Sequence, residues 1–360
     1  MPFMTHTYAS SLVLITGVTG HIGFRVLLDA LNSGYSVRAA VRSSEKAKSL
    51  SQHPKIFSIP NISSRLTFVV VPDLCRKHAY DEAARGCDFV IHIASPLMSN
   101  GVPAGSNQED FFVKPAVRGT VNMLDAARKS GSVRRVVITS SITALIPFDE
   151  LSGATRCSRW IEPTDRIPFT KGPYANEFEA YAASKVAALA EAESWIRKHD
   201  VGFDVVHLHP SFVEGRNELA TSPREMFKGT NAMVLGIALG QKFEYSTMGQ
   251  TVHLEDVSRV HVQSLDCANV PGNTSYILSR DMIWDDVTDI VARRFPEDVA
   301  KRMLPNSGSA VTHAVFVDTS LTEEVFGFEH VDLEEQVVSI VGYFSELRQK
   351  SGKKISLRRA

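Results

Sequence analysis

Tyr181 and Lys185 stand four residues apart in the run Tyr181-Ala182-Ala183-Ser184-Lys185, a spacing that puts both side chains on one helix face. A phenol titrates at about 10, too high for efficient proton transfer at neutral pH. An ammonium beside it, and a cationic nicotinamide ring nearby, favour phenolate and lower that value. Such a phenol can hand a proton to a carbonyl oxygen as hydride reaches the carbon. The pair Ser140-Ser141 offers a hydroxyl to bond and hold the same oxygen. The competing reading is a helix whose tyrosine packs and whose lysine is solvated. The spacing alone does not separate the two.

A second group decides between them. Thr16-Gly17-Val18-Thr19-Gly20-His21-Ile22-Gly23 places glycines at 17, 20 and 23 between an apolar run and a helical pattern. Gly17 allows a tight turn, Gly20 lets backbone approach a pyrophosphate, and Gly23 lets the helix pack close to the strand. The helix N-terminus favours the anion. Gly17, Thr19, Gly20, His21, Ile22 and Gly23 are therefore the dinucleotide-binding candidates, against an ordinary glycine-rich turn. At the end of the second strand NAD sites carry Asp or Glu for the ribose 2′-hydroxyl. Here Arg42 stands there, followed by Lys46 and with no acid before Glu45. A guanidinium fork can clamp a 2′-phosphate, so the pair predicts NADP (NADPH), unless both are plain surface cations. Asp73 lies where a carboxylate can accept from the adenine amino group, or it is a turn aspartate after Pro72.

The elements that must position these residues are legible as alternating strands and helices. Strands are predicted over 11–16, 37–41, 66–71, 89–93, 135–139 and 204–208, and helices over 21–33, 113–130 and 178–198. That rhythm predicts an α/β, Rossmann-type, doubly wound parallel sheet with helices on both faces. The glycine turn follows the first strand. Ser140-Ser141 ends the fifth, where open α/β sheets collect ligands. After Pro210 the rhythm weakens. Residues 1–210 are read as an NADP-binding Rossmann domain and 211–350 as a smaller, mostly helical substrate-binding region that shares elements with it. Helices are expected there over 256–267, 284–294 and 333–348. Residues 351–360 are read as a basic, frayed tail.

Composition bounds the rest. The chain has 360 residues, 44% apolar and 22% charged, with a net charge of −1. Near-neutrality argues against a dominant nucleic-acid or membrane surface. No apolar run reaches the ~18 residues of a membrane span, and residues 1–10 lack the pattern of a signal peptide. Cys75, Cys87, Cys157 and Cys267 form no C-x-x-C pair. They predict reduced thiols in a cytoplasmic protein and no metal site.

The motifs together carry a family resemblance. They are residues 16–23, 42–46, Asp73-Leu74, His92-Ile93-Ala94-Ser95-Pro96, Lys114-Pro115-Ala116 with Gly119-Thr120, Thr139-Ser140-Ser141, 181–185 and 209–215. Over about 11–257 the chain resembles an extended short-chain dehydrogenase/reductase. More narrowly, it is similar to the dihydroflavonol 4-reductase-like and yeast aldehyde/methylglyoxal-reductase-like branch. The resemblance implies that Ser141 acts on the carbonyl rather than Ser140, with Tyr181 as acid and Lys185 as its partner. It implies cofactor contacts at Leu74, Ala94, Ser95, Pro96, Thr139, Pro210 and Val213, and at Ser222 of Thr221-Ser222 toward the phosphate. Lys185 would also bond the nicotinamide ribose.

Two departures stand out. The family's Asn before Pro210 is His209, expected to be a satisfied strand-end histidine. Its later proline is Arg216, expected to pair with Glu214 or Glu218 or, alternatively, to grip an anionic substrate.

The expected activity is NADPH-dependent reduction of a ketone or aldehyde by a monomer or homodimer. Leu97, Ile142, Thr143, Phe178, Phe212 and Met226 are the expected pocket. Their apolar character points to an apolar or aromatic carbonyl compound. The rivals are a nucleotide-sugar epimerase or dehydratase, disfavoured by Arg42, and a non-enzymatic NADP-sensing regulator, which would not need Ser141, Tyr181 and Lys185 together.

Overall fold

β1 (Leu12–Thr16) is apolar on both faces, and Val13, Leu14 and Ile15 are wholly buried. A strand of that kind suits the middle of a parallel sheet. In the computed structural model, which describes residues 11–98, 102 and 107–357, it holds that place. After it come α1 (His21–Asn32), β2 (Ser36–Val41), β3 (Leu66–Val70), β4 (Phe89–His92), α2 (Lys114–Ser130), β5 (Arg135–Thr139), α3 (Glu177–Lys198) and β6 (Asp204–Pro210). Then follow β7 (Phe212–Glu214), α4 (Asn231–Ala238), β8 (Lys242–Met248), β9 (Gln250–His253), α5 (Leu254–Gln263), β10 (Thr274–Leu278), β11 (Arg280–Asp281), α6 (Asp286–Arg294), β12 (Ser309–His313) and α7 (Leu333–Leu357).

The main sheet runs β10-β6-β5-β4-β1-β2-β3. Every pairing from β3 across to β6 is parallel. The chain leaves β1 toward β2 and β3, then returns to the other side of β1 as β4. That reversal sets the switch point beside the turns after β1 and β4. The strands are in step: Thr16 lies opposite His92, His92 opposite Ile138, and Ile138 opposite His207.

Helix ends follow local rules. Asn176 caps α3 by accepting from the Glu179 N–H at 2.9 Å. Gly131, at φ +67°, closes α2 in the left-handed region. Trp195 on α3 donates to Asp125 on α2 at 2.9 Å, tying the two helices together.

The chain divides into two units that interleave in sequence. One comprises Met1–Leu145, Arg166–His209 and Ser258–Tyr276; the other Ile146–Asp165, Pro210–Val257 and Ile277–Ala360. A single break at 210 therefore does not describe the chain, because 258–276 belongs with the first unit and 146–165 with the second. In the second unit α4, α6 and α7 bury Val234, Ile237, Val291, Ile340 and Val341 around Trp284. Small sheets flank them: β7-β9-β11, β8 with β12, and Trp160–Ile161 with Phe316–Val317.

Those short strands were not legible in the sequence, and neither was β10. The helix expected over 256–267 is α5, shifted toward its N-terminus, and the one expected from 284 starts at Asp286. α7 continues helically to Leu357, into the segment expected to be frayed; residues 358–360 and 1–10 lie outside those described. No helix among the described residues is long and apolar enough to cross a membrane.

Candidate active site

The glycine turn is built by close contact. Gly17 sits at φ +75°, and a Cβ there would lie 2.9 Å from the Ala94 nitrogen. At Gly23 a Cβ would lie 2.1 Å from the Gly17 carbonyl oxygen, so only glycine lets α1 start this close to β1. The Gly20 N–H closes the turn onto the Gly17 carbonyl at 2.9 Å. α1 opens with no side-chain cap and no acid in its first turn. Thr19 and Gly20 precede the helix, and His21 and Ile22 begin it.

Thr16 locks this turn to the next one. Its Oγ1 accepts from the N–H groups of Ile93 and Ala94, each at 3.0 Å. With both lone pairs used, its hydroxyl proton is directed to His92 Nδ1 at 3.0 Å. Burial, with Lys185 nearby, pushes the His92 imidazole down to about 3, so the ring is neutral. The Ala94-Ser95-Pro96 turn is thus held against the glycine turn.

Arg42 and Lys46 lie just beyond β2, next to β1 in the sheet. Both are exposed, and among the described residues neither side chain is engaged in an ion pair. Ser43 caps the intervening helix, Ser44–Ser51, by accepting from the Lys46 N–H at 3.5 Å. Asp73 turns one carboxylate oxygen onto the Cys75 N–H at 2.8 Å, the turn role open to it from sequence. Leu74 packs where a Gly119 Cβ would come within 2.7 Å of its Cδ1, which accounts for Gly119.

Ser141, Tyr181 and Lys185 come together. Ser141 leaves β5 in extended backbone and caps a short turn, its Oγ accepting from the Thr143 N–H at 3.2 Å. The Ser141 hydroxyl lies close enough to the Tyr181 phenol to lower it. One turn along α3, Lys185 is buried and donates to Ser95 Oγ at 3.3 Å. Burial lowers the ammonium to about 8. Burial pushes the Tyr181 phenol above its ordinary value, and the Ser141 hydroxyl partly pulls it back. The lowering expected from Lys185 is not found: the net shift is upward, with the Lys185 Nζ 5.6 Å from the ring centroid.

The remaining candidates are distributed. Thr139 Oγ1 is hydrogen-bonded to His261 Nε2 at 2.7 Å, a partner the sequence did not reveal. Ile142 and Thr143 are buried just after Ser141, Phe178 lies in the first turn of α3, and Leu97 is exposed. In the second unit, Val213 is buried on β7, and Phe212 meets Trp284 edge-on at 5.9 Å. Met226 is fully buried in that unit's apolar core, so it packs rather than forming an accessible wall. Thr221 bonds the Glu225 carboxylate at 3.0 Å, which sets a negative charge close to Ser222.

Arg216 pairs with Glu218, one of its two expected partners, and more closely with Glu346, which was not expected. It forks onto Glu346 at 3.1 and 3.3 Å, with Glu218 at 3.9 Å, and its guanidinium lies 4.0 Å over Tyr343. Glu214, one of its expected partners, is instead wholly buried, with both carboxylate oxygens unpartnered among the described residues. His209 is wholly buried at the end of β6 and donates from Nδ1 to the Ser141 carbonyl at 3.3 Å. It therefore supports the backbone under Ser141. His207, two residues before it, was not among the site candidates from sequence; a histidine inside a predicted strand was the available signal. Among the described residues no group of three or more His, Cys, Asp or Glu is placed to hold a metal ion.

A glycine turn at the switch point of a parallel sheet, beside a Ser-Tyr-Lys group, defines an NAD(P)-dependent oxidoreductase of the extended short-chain dehydrogenase/reductase class. The chain belongs to the NAD dependent epimerase/dehydratase family, whose sequence model matches residues 13–277. It is 41% identical to ketoreductase CTB6 of Cercospora nicotianae, over 95% of this chain and 97% of that one. It is 35% identical to the NAD-dependent epimerase/dehydratase ALT6 of Alternaria alternata, over 91% of this chain and 96% of the relative. The fold matches Gre2 of Candida albicans, solved with NADPH, at a TM-score of 0.77 and 23% identity, over 94% of this chain and 99% of that one.

Proposed function

We propose that this chain is an NADPH-dependent ketoreductase that reduces a small apolar or aromatic ketone or aldehyde to an alcohol. The observation that carries this reading is the convergence of the Tyr181 and Ser141 hydroxyls, with Lys185 buried one helical turn away. Two hydroxyls then converge where a carbonyl oxygen can sit, one to hold it and one to protonate it. The relative named a ketoreductase, alike over nearly the whole chain, supports the same chemistry.

The residues fit the cofactor. The close-packed Gly17 and Gly23 leave backbone free to approach a pyrophosphate, and the uncommitted cations Arg42 and Lys46 suit a 2′-phosphate. When bound, reduced nicotinamide supplies the hydride. Tyr181 delivers the proton to the carbonyl oxygen, and Ser141 orients that oxygen. Lys185, held by Ser95, would bond the ribose hydroxyls of the bound cofactor. A hydride on carbon and a proton on oxygen complete the alcohol. Arg216, already paired with Glu346, leaves no ready grip for an anionic substrate, in keeping with the apolar reading.

The test is a panel of aliphatic ketones, aromatic ketones, aldehydes and nucleotide sugars, each with NADPH or NADH and followed by cofactor absorbance. Steady NADPH oxidation with apolar or aromatic carbonyls is expected. Turnover confined to nucleotide sugars, without net cofactor oxidation, would refute the reading.

A further inference from the structure

His92, Ile138 and His207 form one row across β4, β5 and β6. Neighbours in register share a face of the sheet, so the two histidines flank Ile138 on the side that α3 covers. A small cavity lies there, bounded by His92, Ser95, Ser140, Lys185 and His207, with Ala188 on the helix side. His207 is 4% exposed, and neither of its ring nitrogens has a hydrogen-bond partner among the described residues. Lys185 carries three N–H donors, and Ser95 takes one. Leaving buried donors and acceptors unmatched is costly. A cavity walled by such groups is where proteins hold an internal water.

Resting on the reductase reading, we propose that His207 positions Lys185 through a water in this cavity, which accepts from the ammonium and donates to an imidazole nitrogen. Burial pushes His207 down to about 4, so it is neutral and one ring nitrogen is an acceptor. The titratable neighbours are His92 on β4, His209 on β6, His261 on α5 and Tyr181 on α3, with the Arg166–Glu193 ion pair farther out. His92, like His207, is pushed low by burial, so Lys185 is the cation among the titratable groups that line the cavity. Ser95 holds the ammonium from the cofactor-side turn and the water holds it from the sheet. Losing the water removes solvation from the ammonium, so Lys185 gives up its proton at lower pH.

Two variants approach the cavity from opposite sides. His207→Phe removes both ring nitrogens at similar volume, and Ala188→Val fills the space without touching His207. Each is expected to move the Lys185 titration, read by lysine-selective NMR, down by about half a pH unit or more. The basic limb of the kcat/KM profile should move with it, and kcat should fall about tenfold with KM changed less than about twofold. His207→Gln keeps a donor and an acceptor and should restore both readouts to near wild type. An unchanged Lys185 titration in a folded His207→Phe or Ala188→Val protein overturns the proposal. So does His207→Gln behaving like His207→Phe, which would make the histidine mere packing. Should His207→Phe not fold, Ala188→Val and His207→Gln decide. The NMR titration needs no turnover. A moved titration in a protein that reduces no carbonyl would refute the reductase reading and leave the water bridge standing.

Discussion

Tyr181 and Ser141 come together because one lies near the N-terminal end of α3 and the other just past β5, in a site where burial raises the phenol. Tyr181→Phe removes the transferable proton and little packing. Turnover is expected to fall by about a hundredfold or more, with NADPH affinity nearly unchanged; steady-state kinetics and cofactor titration measure the two separately. Arg42 presents a contrasting case. Its guanidinium is exposed and uncommitted, so Arg42→Ala should leave stability alone. It should weaken NADPH binding by about tenfold or more while sparing NADH, since only NADPH carries the 2′-phosphate. Fluorescence titration with both cofactors checks this, and equal losses would reduce Arg42 to a surface charge. Both residues were legible from type and position. Of the partners of Arg216, Glu218 was legible and Glu346 was not, because it lies 130 residues further along the chain.

At the scale of elements, the junction of β1 and α1 depends on the absence of a side chain. A Cβ on Gly23 would press to 2.1 Å from the Gly17 oxygen, and a backbone atom cannot rotate away as a side-chain tip can. Gly23→Ala should therefore shift the start of α1. The melting temperature is expected to drop by several degrees, about 2–3 kcal/mol of strain, and NADPH binding should be lost. Calorimetry with and without NADPH tests both parts; a variant that melts and binds like wild type would show that the turn tolerates a methyl group. The long elements around this junction were readable because their apolar periodicity is local. β5 was expected over the residues it occupies, and β2 and α3 began within one residue of expectation. The two- to seven-residue strands of the second unit were not readable. Phe316–Val317 is a strand only because Trp160–Ile161 lies beside it, and pairing across that much sequence leaves no periodic trace in so short a run.

For the molecule as a whole, Arg135 illustrates how distant segments are held in one unit. It is 1% exposed at the start of β5, forks onto Asp204 of β6 at 2.5 and 2.9 Å, and donates to the Ser264 carbonyl just past α5 at 2.7 Å. That contact explains why 258–276 belongs with the sheet despite lying beyond the expected boundary at 210. Truncating one member of a buried pair strands the other charge, at a cost of about 3–5 kcal/mol. Asp204 retains some solvent contact, so the lower end applies. Arg135→Ala should lower the denaturant midpoint by an amount equal to about 3 kcal/mol while the slope stays the same. Urea unfolding measures it, and a loss below about 0.5 kcal/mol would show the pair to be incidental.

What the sequence determined by itself were the features encoded locally: the parallel-sheet alternation, the glycine turn, the absence of an acid before Glu45, and a tyrosine and lysine one helical turn apart. Each depends on neighbours within a few residues, where backbone geometry alone sets who shares a face. Tertiary structure decided the rest. It determined that Lys185 anchors on Ser95, that His209 supports the Ser141 carbonyl, that Arg216 is taken by Glu346, that Met226 is core, and that His207 faces a cavity shared with Lys185. These outcomes follow from sheet register and helix packing, which bring together residues tens to more than a hundred positions apart. Burial, a property of that packing, then sets the protonation of the histidines and lysine on which the chemistry rests.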